Sequence, residues 1–168
     1  CAGSGNHGLT ATLPVVAVGE KKRLDPDKLI RGVALSLLVT IYVKSFTGTL
    51  SPVCGCGVAA GVGASAGITY ILGGSIEQIE GAIKNMIGTL AGIICDGGKP
   101  GCAFKLSVSV DAAIEFAMMA LNDVVISSDD GIVDETAEKT VYNLGKVSTE
   151  GMATTDEAIL GVMMNKCP

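Results

Sequence analysis

The sequence predicts an all-α fold, a compact bundle of about six to seven helices around a glycine-rich central helix, with cysteine-bearing loops between helices. Three observations point there. Helix-start signals recur, as Asp25-Pro26, as Ser75 with Gln78, and as Thr154 with Glu157. Apolar residues make up 48% of 168 residues, enough for one domain with a well-buried core, and the mean hydropathy is +0.50. Gly57, Ala60, Gly61, Ala64 and Gly67 recur at helical intervals, so a central helix can approach its neighbours closely.

The first element starts at the Gly3 to Gly8 loop and runs through Leu9 to Val18, with Pro14 bending it or lying in its first turns. A charged break follows from Glu20 to Arg23. Asp25 is the N-cap of the next helix and Pro26 its first residue, and the pattern continues to about Lys44. Phe46 to Pro52 is a connector. The glycine-rich helix runs from about Gly57 to Leu72 and stops at Gly73-Gly74. Ser75 and Gln78 form a capping box, and Ile76, Ile79, Ile83, Met86, Ile87 and Leu90 give the following helix an apolar face to about Ile94. Leu106 to Val110 alternates as a strand would, yet continues without a turn signal to Leu121, which predicts one helix. Ser127 to Gly131 is a loop. Val133 or Asp134 then leads a helix to about Leu144, ended by Gly145, and Thr154 with Glu157 caps a last one whose apolar residues are Ile159, Leu160, Val162 and Met163.

Composition excludes some functions. The net charge is -5 without basic runs, and three Phe, three Tyr and no Trp leave little for stacking on bases, so nucleic acid is not an expected partner. No charged residue occurs between Lys44 and Glu77, but that stretch holds Pro52 and seven glycines from Val53 to Gly74. Its neighbour Gly32 to Val43, bounded by Arg31 and Lys44, is too short for a bilayer core of about 30 Å. Buried helices, rather than a membrane span, explain both stretches. A helical module using the Gly57 to Gly67 surface for partner helices is the competing reading.

Six cysteines in so hydrophobic a chain fit reduced, cytoplasmic thiols better than a disulfide framework. Four of them fall in two close pairs, Cys54 with Cys56 and Cys95 with Cys102, each in a glycine-rich loop. Thiolates bind soft metals, and glycine lets a loop fold back so that two sulfurs address one centre. Structural zinc usually uses two C-x2-4-C knuckles, whereas these pairs are C-x-C and C-x6-C. A non-enzymatic zinc module with four thiolate ligands is disfavoured but stays open.

The segments Ser51-Pro52-Val53-Cys54-Gly55-Cys56-Gly57-Val58-Ala59-Ala60, Leu72-Gly73-Gly74-Ser75-Ile76-Glu77-Gln78, Cys95-Asp96 and Cys102 occur in this order, with Gly3-Ser4-Gly5-Asn6-His7-Gly8 at the start. Together they resemble the catalytic domain of the iron–sulfur L-serine dehydratases, and more closely the L-cysteine desulfidase branch, where six residues separate the last two cluster cysteines. The resemblance implies a [4Fe-4S] cluster held by three cysteines, with one iron open as a Lewis acid toward the leaving group at Cβ. It implies a β-eliminating lyase acting on a small amino acid, L-cysteine giving pyruvate, ammonia and hydrogen sulfide, or L-serine giving pyruvate and ammonia. It also implies that residues 1–168 are the C-terminal, cluster-binding part of a longer chain whose N-terminal half supplies the Cα base, in a cytoplasmic protein that can form a homo-oligomer.

The ligands on this reading are Cys54, Cys95 and Cys102, with Cys56 as the alternative to Cys54, since both flank Gly55. Cys56 is otherwise a small buried hydrophobe. The resemblance also raises a tail cysteine, Cys167, as an occupant of the open iron at rest. Ser4, Gly5, Asn6 and His7 place backbone amides and short polar groups at a helix start, a position that suits a substrate carboxylate. His7, the lone histidine, is the catalytic candidate, either orienting substrate or moving a proton, against the plainer reading of a solvated loop histidine. Asp96 and Lys99, in the second cysteine loop, are candidates for the substrate ammonium and carboxylate, or residues of a solvated turn.

Overall fold

The structure is a computed structural model and describes residues 1–166. Seven α-helices make up the described part: α1 Gly5–Lys21, α2 Pro26–Thr47, α3 Ala60–Ile71, α4 Ile76–Leu90, α5 Cys102–Ala120, α6 Ala137–Lys146 and α7 Thr155–Met164. Short π-helical segments, Gly55–Ala59 and Val147–Gly151, precede α3 and follow α6. The all-α expectation holds, with α3 at the centre and α1, α2, α4 and α5 packed around it.

Every residue of α3 except Tyr70 is buried. That is possible because α3 carries glycine where its neighbours approach most closely, while Val62, Ile68 and Ile71 fill the core between them. A Cβ on Gly63 would come within 2.2 Å of Thr40 Oγ1 and 2.3 Å of the Ser36 carbonyl oxygen, and one on Gly67 within 2.7 Å of the Gly32 carbonyl oxygen. Helices α2 and α3 therefore meet backbone to backbone. The facing stripe of α2, Gly32, Ser36, Thr40, Val43, Lys44 and Thr47, is small and polar, with the Ser36 hydroxyl donating to the Ala11 carbonyl at 2.6 Å and Thr40 to the Ser36 carbonyl at 2.8 Å. Those bonds remove most of the cost of burying hydroxyls. Helix α2 is longer than the Gly32 to Val43 run suggests, and by length and hydropathy it could cross a membrane. Its buried polar stripe is instead what a helix packed against a protein core presents.

The start signals act as read. Asp25 accepts from the backbone N–H groups of Asp27 and Lys28 at 3.0 and 3.2 Å, and the Ser75–Gln78 capping box is closed in both directions. Other boundaries move. Glu20 and Lys21 stay inside α1, Pro14 sits in its interior, α2 reaches Thr47, and α4 stops at Leu90 rather than near Ile94. Helix α6 starts after Thr136, whose hydroxyl caps Lys139 N–H at 3.2 Å, not at Val133 or Asp134. Gly145 does not end α6; it lets the helix approach Phe46, whose Cβ would lie 2.7 Å from an added methyl group. Thr154 makes no side-chain cap bond, and α7 has no buried residue, leaving Leu160, Val162 and Met163 exposed instead of in the core.

Alanine at Gly63 should cost about 3 kcal/mol in denaturant unfolding, because a backbone carbonyl cannot step aside and α2 must separate from α3. Gly161→Ala, with nothing near its Cβ position, should change stability by about 1 kcal/mol or less, in the stabilising direction. Equal effects of the two changes would contradict the close-contact role of α3.

Candidate metal centre

Two loops far apart in sequence carry the cysteines, and backbone pairing joins them. Cys54 N–H donates to the Ile93 carbonyl at 2.8 Å, Cys95 N–H to the Pro52 carbonyl at 2.6 Å, and Val53 and Ile94 form an antiparallel bridge. This brings Cys54, Cys56, Cys95 and Cys102 to the wall of one cavity of about 230 Å³. Ser4, Asn6 and His7 from the first turn of α1 line it too, together with Lys44, Ser51, Gly55 and Lys105. The five described cysteines are free thiols. Cys167 lies outside the described residues.

Cys54 is the N-cap of the π-helical segment, its sulfur accepting the Gly57 N–H at 3.3 Å, and it is buried. A thiolate there is favoured. The neighbouring Cys56 thiol, ahead of the opposing effect of burial and the help of the Gly57 N–H, pulls the Cys54 pKa down. The same pairing, with burial, pushes the Cys56 pKa up. Cys56 also lies 4.0 Å from the Ser4 hydroxyl. Cys102 opens α5, with its thiol 3.6 Å from the Gly97 carbonyl.

His7 is not a solvated loop residue. It is 5% exposed in the first turn of α1, its Nδ1 has no hydrogen-bond partner, and its ring lies so close to Gly55 that a Cβ there would be 2.3 Å from Nε2. Burial first, then the nearby Lys44 ammonium, lower its pKa to about 4. His7 is therefore neutral at pH 7.

Two lysines on the cavity wall were not singled out in the sequence. Lys44 ends a long apolar run and reads as a boundary charge, and Lys105 follows Cys102 by one helical turn. Lys44 is buried, and burial lowers its pKa despite the nearby thiols of Cys95, Cys56 and Cys54. Asp96 and Lys99 do not line the cavity. The Asp96 carboxylate is paired with Lys105 and Lys99, which hold it well below the usual carboxylate range, and both Asp96 and Lys99 face a separate apolar groove beside α7. Gly5 is in the α1 turn but not on the cavity wall.

Among the described residues, no three His, Cys, Asp or Glu side chains converge closely enough to hold one metal ion. A four-thiolate zinc site needs sulfurs all about 2.3 Å from one ion, and these side chains do not hold that geometry. A cluster makes a different demand, since each cysteine ligates its own iron and the sulfurs stand farther apart around a larger body. Four thiols on one cavity wall, one of them poised as a thiolate and two lysines nearby, are a donor set that fits a cluster.

A family model described as serine dehydratase alpha chain matches residues 1–161. A UPF0597 protein of Clostridium tetani is 63% identical over 166 residues, covering 99% of this chain and 39% of its own length. UPF0597 proteins of Caldanaerobacter subterraneus and Clostridioides difficile are 56% and 54% identical, over 98% of this chain and 39% of theirs. The chain thus spans about two fifths of the length of the curated relatives it matches. No solved structure matches.

In cluster-free protein, thiolate absorbance attributable to Cys54 should be present well below the ordinary cysteine pKa of about 8.5. Cys56→Ala should move it to higher pH by removing the neighbouring thiol, and an unmoved titration would contradict the influence of Cys56 on Cys54. His7 gives a stability signature of defined sign. Its pKa falls from about 6.5 in the unfolded chain to about 4 when folded, so the unfolded chain binds more protons between those values. Stability should drop by up to about 3 kcal/mol as pH falls from 6.5 to 4. His7→Asn should lack that component in denaturant titrations.

Proposed function

We propose that this chain, which belongs to the serine dehydratase alpha chain family, is the cluster-binding, C-terminal part of a β-eliminating amino-acid lyase of the L-cysteine desulfidase type. The observation that carries the reading is the single cavity shared by Cys54, Cys56, Cys95, Cys102 and the first turn of α1. The C-x6-C spacing of Cys95 and Cys102 supports the desulfidase branch, with products pyruvate, ammonia and hydrogen sulfide. The family description supports the second reading, L-serine dehydration to pyruvate and ammonia.

Cys54, Cys95 and Cys102 would hold the [4Fe-4S] cluster, which when bound supplies a Lewis-acidic iron for the thiol or hydroxyl leaving at Cβ. Cys54 is favoured over Cys56 as ligand because its sulfur accepts the Gly57 N–H at 3.3 Å, a contact that suits a thiolate, whereas Cys56 has only the Ser4 hydroxyl 4.0 Å away. The first-turn N–H groups of α1, flanked by Ser4 and Asn6, offer donors to an amino-acid carboxylate. His7, buried in the first turn of α1 with Nδ1 unpartnered, would orient substrate through its ring or move a proton at it. The Cα base comes from the part of the protein outside this chain. Asp96 acts one step back, fixing Lys105 at the cavity wall, rather than contacting substrate.

The test is anaerobic reconstitution of the full-length protein with iron and sulfide, followed by visible spectroscopy, metal analysis and turnover. A broad band at roughly 400 nm is expected, lost in the alanine variants of Cys54, Cys95 and Cys102 and kept in Cys56→Ala, with sulfide and pyruvate released from L-cysteine. Pyruvate from L-serine alone would select the second reading. Zinc uptake without colour would overturn both.

A further inference from the structure

The two lysines on the cavity wall differ in what neutralises them. Lys105 is bound to the Asp96 carboxylate and donates to the Ile94 carbonyl at 2.8 Å. Lys44 is 6% exposed, and its ammonium makes one hydrogen bond, to the Ser51 hydroxyl at 3.1 Å. Ser51 in turn donates to the Val53 carbonyl at 2.8 Å, so its lone pair is held toward Lys44. An ammonium has three donors, and two remain. Among the described residues no carboxylate pairs with Lys44, and none lines the cavity.

The thiols of Cys54, Cys56 and Cys95 lie near this ammonium, and a buried cation with no carboxylate partner and two unused donors is a group that an incoming anion completes. The anion has a defined place. Gly55 lies between the His7 ring and the Lys44 ammonium, and a Cβ there would sit 3.2 Å from Lys44 Nζ, so the absence of a side chain at Gly55 keeps both polar groups at the wall. The first turn of α1, with Ser4 and Asn6, lines the same cavity and supplies uncommitted N–H groups. We infer that Lys44, held by Ser51, is the anchor for the α-carboxylate of the substrate, its two free N–H donors facing the two carboxylate oxygens beside the α1 turn. The inference rests on the lyase reading only in taking the ligand to be an amino acid.

Calorimetric titration of the full-length protein tests it, both cluster-free and loaded under anaerobic conditions, with L-alanine and L-alaninamide as probes. L-Alanine has no leaving group at Cβ and binds without turnover; the amide keeps the ammonium and lacks the carboxylate charge. Wild type should prefer L-alanine by about tenfold or more, as for a charge-assisted bond. Lys44→Met should abolish that preference and leave amide binding unchanged, Lys44→Arg should restore part of it, and Ser51→Ala should weaken L-alanine binding several-fold. The ligand-free melting temperature of Lys44→Met should rise, because a buried charge with no carboxylate partner has been removed; a merely structural lysine would lower it. A preference that survives in Lys44→Met overturns the inference, and so does equal loss of both probes. If Lys44→Met does not fold, an unchanged preference in both Ser51→Ala and Lys44→Arg overturns it instead. A Lys44-dependent preference in a protein that takes up no iron would sink the lyase reading and leave the carboxylate anchor standing, whereas an active, loaded enzyme with a Lys44-independent preference would do the reverse.

Discussion

Everything in this fold depends on a helix that carries glycine at its closest crossings. Gly61, Gly63 and Gly67 let α5, α4 and α2 approach α3 to distances at which a methyl group would collide with Ser109, Met86, Ser36 or Thr40. In a bundle of ordinary helices, axes stay 8–10 Å apart and loops at one end stand correspondingly far from each other. Here the close packing draws the loops at the N-terminal end of α3 into one small volume. The π-helical segment Gly55–Ala59 is fixed there by Ser109, whose hydroxyl donates to the Gly57 carbonyl at 2.6 Å.

Onto that base the antiparallel bridge between Val53 and Ile94 adds the second constraint. It locks the C-x-C loop to the loop preceding α5 with backbone bonds, which no side-chain substitution can directly remove. The cavity between them joins opposite tendencies: acidic cysteine thiols, and two lysines, of which Asp96 neutralises only one. Thiolates and lysines in a small, poorly hydrated space stabilise one another. The cavity thus sets cysteine sulfurs on one side and N–H donors on the other.

Much of this was legible in the sequence because it is written in local chemistry. Asp25-Pro26 and Ser75 with Gln78 are signals whose bonds close within one turn, and the small residues of α3 announce close packing by their spacing alone. Cysteine, glycine and the short polar run at the start marked the cavity. What the sequence hid depends on tertiary neighbours. Lys44 reads as the charged end of an apolar run, and only the return of the Ser51 loop shows that its ammonium is inside. His7 reads as a loop residue until Gly55 is seen packed on its ring. Gly145 resembles a stop signal, yet it serves the contact with Phe46, and the apolar residues of α7 resemble a core face but have no core to meet among the described residues. Asp96 and Lys99 sit beside Cys95 in sequence, but Asp96 pairs with both Lys99 and Lys105, and Asp96 and Lys99 face the groove beside α7 rather than the cavity.

The central claim is that Cys54, Cys95 and Cys102 hold one iron–sulfur cluster whose remaining iron is open to substrate. Mössbauer spectroscopy of the full-length protein, reconstituted with 57Fe and recorded with and without L-cysteine, tests it most directly, because it reads the four irons separately. The predicted result is a spectrum in which one iron of four differs from the rest and alone shifts when L-cysteine is added. Four irons that are equivalent and unmoved by L-cysteine, or iron bound as single ions rather than a cluster, would contradict it.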